Sequence, residues 1–208
     1  MSLDTFSNLK ATVIRFSGRD DLSDLVDDFI TLAEEKMFNN EDRPLRLRAF
    51  ETTTTLTTTG GDNFVALPAT YMGARSISIV SGGVECELKM TSPNGLRRTN
   101  SSGFPTQASI EGSNIIFNTT PDGAYDINLT YYARPTALST SNPTNSVLTN
   151  HPSIYLNGCL AQLYDYTSEP DDSEMYYGKM IRSIKGAMSA DNKGRYPNAA
   201  SSVRGSIA

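Results

Sequence analysis

A chain of 208 residues allows one domain or two small ones, with enough length to bury a useful core. Hydrophobic residues are 38% of the total and charged residues 20%; no apolar run approaches the ~20 residues of a membrane-spanning helix, so the helical membrane class is excluded. The net charge of −5 argues against sequence-specific DNA recognition, and the opening MSLDTFSNLK lacks the layout of a signal peptide, so a cytosolic protein or a particle assembled there is expected.

Residues 4–16 read as a short helix. Phe6, Leu9, Val13 and Phe16 recur at helical spacing, Asp4 and Thr5 can cap it, and Ser17-Gly18 ends it. DDLSDLVDDFITLAEEKMFNN follows as a second helix: Leu22, Leu25, Val26, Phe29, Ile30, Ala33 and Met37 form one stripe, with Asp20 and Asp21 as N-terminal caps. Pro44 then opens a shorter expected helix, LRLRAFE.

From Thr52 the period changes to two. Seven of the eight residues from Thr52 to Thr59 are threonine, which is β-branched and favours extended backbone. The run reads as a strand with a polar face or edge; the alternative is a flexible threonine linker. Further strands are expected at 63–67, 74–80, 84–91, 106–111, 114–119 and 125–133. ASIEGSNIIFN reads as a hairpin around Gly112-Ser113, and Pro121-Asp122-Gly123 as a second such turn.

A polar strap, PTALSTSNPTNSVLTNHP, leads to a helix at 152–167 with Ile154, Leu156, Cys159, Leu160, Leu163 and Tyr164 inward. A last helix, 171–190, carries Met175, Tyr177, Ile181, Ile184 and Met188. Amphipathic helices need partners, and the two ends of the chain are each other's candidates. The expected fold is therefore α+β: a discontinuous α-helical bundle (1–51 and 150–190) with an inserted antiparallel β-sandwich or barrel (52–149). Residues 191–208 are polar and form an expected extended tail.

No catalytic constellation emerges. The single histidine, His151, stands ahead of a helix and reads as a loop or capping residue, and with two distant cysteines, Cys86 and Cys159, it offers no zinc spacing. Those cysteines are either two free thiols or one disulfide. The pairs Asp27-Asp28 and Glu34-Glu35 read as the polar side of the second helix rather than an acid/base pair. Tyr125, Tyr131 and Tyr132 either alternate into a sheet core or could stack on sugars; the latter would make the chain a carbohydrate- or host-surface-binding module. No enzyme activity and no cofactor are expected.

Charge is segregated: nine carboxylates and one lysine lie between Asp20 and Asp42, and six basic residues and one acid from Lys179 onward. Such polarity suggests pairing, within one subunit or between copies, against the alternative of two solvated surfaces. The interface candidates are Asp24, Asp27, Asp28, Glu34 and Glu35 on the acidic side and Lys179, Arg182 and Lys185 on the basic side.

The ordered motifs FITLAEEKM, LRLRAFE, a Thr-rich strand, FVALP, TYMGARSI, GFPTQASIEGSNIIF, INLTYYARPTAL and PSIYLNGCLAQLYDY resemble the adaptor proteins of tailed bacteriophages, over about Leu3 to Ser189. The passage MFNNEDRPLRLRAF is longer than in that pattern. The resemblance implies a helical bundle with an inserted β domain. It implies a virion ring of typically twelve copies between the portal ring and a tail or nozzle protein, through which double-stranded DNA passes non-specifically. It also implies a C-terminal segment that reaches the portal, here Lys193, Arg195, Tyr196, Val203, Arg204 and Ile207.

Overall fold

The computed structural model describes residues 3–40 and 44–195. Two compact units divide the chain: residues up to Arg48 together with those from Pro135 onward, and the stretch Ala49–Arg134 between them. The seam lies at Arg134, so the strap from Pro135, counted above with the insert, belongs to the helical unit.

Helix α1, Phe6–Ser17, is capped as its sequence dictates: Thr5 accepts the Asn8 N–H, and Gly18, at φ 66°, closes the last turn by donating to the Ile14 carbonyl. Phe16 does not join the buried stripe; it is 56% exposed. The second expected helix is two elements. Asp20–Leu25 is a 3-10 turn without a side-chain cap, where Asp21 pairs with Arg19 instead. Helix α2, Val26–Phe38, follows. The expected LRLRAFE helix is absent: residues 44–47 form no regular element, Leu45 and Leu47 are buried in alternation, and only Arg48–Phe50 forms a 3-10 turn. The Leu45 N–H donates to the Met37 carbonyl, which fixes residues 44–47 against the end of α2.

The C-terminal half of this unit comprises α3 (Ser146–Asn150), α4 (Pro152–Tyr166) and α5 (Pro170–Arg195). α3 is a short turn of helix inside the strap, capped by Asn145, whose side chain accepts the Val147 and Leu148 N–H groups. α4 is the central helix and packs against α2 on one side and α5 on another. That position explains its wide buried surface, which includes Tyr155, Gly158 and Ala161 besides the expected Ile154, Cys159, Leu160 and Leu163. Gly158 permits the close approach there: a Cβ would stand 3.0 Å from both the Ala33 Cβ and the Met180 Sδ. The inner face of α5 is rotated from its expected set. Met180, Ile184 and Ala187 are buried, while Met175 is 43% exposed. α5 also runs on to Arg195, so residues 191–195 are helical rather than an extended tail.

The inserted unit holds β1 (Glu51–Thr57), β2 (Phe64–Ala66), β3 (Tyr71–Ser81), β4 (Val84–Glu87), β5 (Lys89–Met90), β6 (Gln107–Glu111), β7 (Asn114–Phe117) and β8 (Asp126–Ala133). They form two four-stranded sheets, ordered β1-β8-β3-β4 and β2-β7-β6-β5. Among the described residues these are two open sheets, so the sandwich alternative holds and the closed barrel does not. Pairing is antiparallel apart from β5 with β6. Ile77, Ile79, Ile127, Leu129 and Tyr131 of one sheet share a core with Ala108, Ile115 and Phe117 of the other. The hairpin around Gly112-Ser113 is present, with Gly112 at φ 59°. Two expectations change. The Pro121-Asp122-Gly123 turn joins β7 to β8 across sheets, and the expected strand 84–91 breaks at buried Leu88, where the chain switches sheets.

Candidate assembly surfaces

The threonine run is structured. β1 is an edge strand paired along its whole length with β8, and its outward hydroxyls form a ladder: Thr53 with Thr130, Thr55 donating to Asn128, Thr57 donating to Asp126. The same face continues through Asn128 and Ser78, both of which donate to Glu85. These bonds hold the Glu85 carboxyl below its usual range, Ser78 contributing most. Two of the three tyrosines are committed to packing within the inserted unit. Tyr131 is buried, with its ring centroid 5.9 Å from that of Tyr71. Tyr125 packs edge-on against Phe104 and donates to Asp122. Tyr132 is half-buried.

On α2 the acidic candidates separate into three kinds. Asp24, on the preceding 3-10 turn, and Asp28 and Glu35 are exposed. Asp27 is also exposed but already paired, 2.5 Å from the Lys10 ammonium. Glu34 is not on the polar side at all: it is 5% exposed. Its Oε1 accepts the Leu138 N–H at 2.9 Å and the Tyr155 O–H at 2.8 Å, and the Tyr155 hydroxyl in turn accepts from the Asn145 amide at 2.7 Å. Burial and the neighbouring carboxylate push the Tyr155 hydroxyl far above its ordinary pKa, and burial does the same to the Cys159 thiol. Glu34 therefore ties α2, α4 and the strap together and is a core residue. Both cysteines are free thiols.

The basic candidates lie on α5. Lys179 is half-buried, with its ammonium 4.3 Å from the centroid of Tyr176, which stacks on Tyr164. Arg182 and Lys185 are exposed and line a groove of about 730 Å³ with Asn40, Glu174, Tyr177, Gly178 and Ile181. Tyr177 and Ile181 are half-buried and make its apolar floor. A Cβ at Gly178 would meet nothing within 4 Å, so this glycine leaves an open gap in the helix surface. Asn40, from the end of α2, donates to the Tyr177 hydroxyl at 2.7 Å.

The last turn of α5 is anchored by Arg48: its N–H donates to Asp191 at 3.0 Å, and its guanidinium to the Gly194 carbonyl at 3.5 Å. Lys193 is exposed in that turn and Arg195 is its final residue. Tyr196, Val203, Arg204 and Ile207 lie outside the described residues. Among the described residues no group of three metal-ligating side chains converges and no helix is long and apolar enough to cross a membrane.

The family model for the SU10 adaptor protein matches residues 4–204. No curated protein matches the chain.

Proposed function

Because the chain belongs to the SU10 adaptor protein family, a family of phage head-to-tail adaptors, we propose that it is the structural ring subunit that joins a portal to a tail and continues the DNA channel between them. The observation that carries this reading is the extent of the match, which runs through both halves of the helical unit and the inserted sheets alike. An architectural role also suits the surfaces: hydroxyl ladders, segregated charge and an anchored final helix serve assembly rather than turnover. In this reading the C-terminal residues, from Lys193 through Arg195, Tyr196, Val203 and Arg204 to Ile207, contact the portal. Exposed carboxylates at the channel would repel phosphates and let DNA slide. Copies related by a closed rotation need complementary surfaces on each subunit, and the acidic and basic faces supply them. The test is genetic and structural. A phage lacking the chain should fill heads with DNA and leave them tailless, with tails restored when the chain is supplied. Intact tailed particles formed without it would overturn the proposal.

A further inference from the structure

We propose that two copies of this chain dock by laying the outer ridge of α2 from one into the α5 groove of the other, antiparallel, with Leu32 filling the gap at Gly178. The inference rests on the junction role only in requiring that copies meet, and it assigns which residues make the contact.

The exposed ridge of α2 reads Asp28, Leu32, Lys36, four residues apart. Leu32 is 43% exposed, an apolar knob between two charges. The groove side of α5 reads Glu174, Gly178, Arg182, also four apart. Rows at this spacing are the ridges that interdigitate when helices pack. Run antiparallel, the two rows match at every position: Lys36 meets Glu174, Leu32 meets the gap at Gly178 above Ile181, and Asp28 meets Arg182. The reverse direction sets Asp28 against Glu174 and Lys36 against Arg182, so charge selects the orientation.

These charges are available for such a contact. Asp24, Asp28, Lys36, Glu174, Arg182 and Lys185 make no ion pair among the described residues. The structure sets Glu34 aside as a buried core acceptor, while Asp27 holds Lys10 and Lys179 lies over Tyr176 within the same copy. The ridge is not part of the groove lining, so each copy offers one of each and successive copies join head to tail.

The test uses full-length chains carrying Cys86→Ser, with buried Cys159 left in place. Leu32→Cys and Gly178→Cys are placed on separate copies; the Gly178 site is open enough to accept the side chain. Under mild oxidation the mixture is expected to form a disulfide-linked dimer that neither variant forms alone. Arg182→Asp on the Gly178→Cys copy should slow that link on the order of tenfold or more, and Asp28→Arg on the other copy should restore it. Both cysteines on one chain should give a ladder of oligomers; a stop at the dimer overturns the head-to-tail arrangement. The same link is sought in purified phage particles. Particles that contain the chain but show no link overturn the contact while leaving the junction role intact. A link in solution from a chain that never enters particles upholds the contact and overturns the role.

Discussion

Replacing Glu34 with alanine should be among the most damaging single changes in the helical unit, although Glu34 is one of a run of carboxylates on an acidic helix. The substitution removes the acceptor of two donors, the Leu138 N–H and the Tyr155 O–H, at a residue that is 5% exposed. A buried donor left without a partner costs roughly 1–3 kcal/mol, so the two together predict a loss of about 2–6 kcal/mol. Tyr155→Phe removes only the hydroxyl and should cost about 1–2 kcal/mol. The double variant should cost less than the sum, because both changes break the same bond. Urea unfolding followed by helical circular dichroism measures all three. A loss for Glu34→Ala within the ~0.5 kcal/mol typical of surface positions would refute the network.

Gly158→Val should destabilise by about 1–3 kcal/mol in the same assay, since its Cβ would stand 3.0 Å from Ala33 and Met180 and force α2 and α5 away from α4. Asp191→Ala should leave the main unfolding transition in place and speed hydrogen exchange in the final turn of α5, because it removes the acceptor of the Arg48 N–H. The inserted unit should lose stability in acid through Glu85. Its folded pKa is depressed by Ser78 and Asn128, so its contribution is fully present above the unfolded value of about 4.3 and fades as pH falls below that through the depressed folded value. Glu85→Gln should flatten the acid limb of the stability curve there, and an unchanged limb would count against the bonds.

Much of this was readable from local chemistry. The caps at Thr5 and Gly18, the apolar stripe from Val26 to Met37 and the hairpin at Gly112 each depend on residues close in sequence, and each forms. The threonine run is a strand because β-branched residues on an edge can present hydroxyls to solvent and to β8 at once. What escaped depends mostly on packing between distant segments. Glu34 lies four residues after Ile30 and three before Met37, so the helical period alone sets it on the inner stripe; its partner Tyr155 is 121 positions away and carries no local sign. Met180, Ile184 and Ala187 also recur at helical spacing, so the period within α5 admits more than one inner face, and packing against α4 selects among them. The segment at Leu45 and Leu47 was legible as alternation, but Pro44 and good helix formers suggested a helix; bonding to Met37 and burial of both leucines override that propensity. The switch of sheets at Leu88 follows from closing a sandwich over a shared core, a global constraint. The groove of α5 needed coordinates, since its gap is defined by a glycine among long side chains.

The most direct test of the account is to image full-length chain mixed with purified portal rings from a phage that encodes it. The account predicts a second ring of this chain seated coaxially on the portal, with neighbouring copies touching through α2 and α5. Portal rings that remain bare at every salt concentration would contradict it.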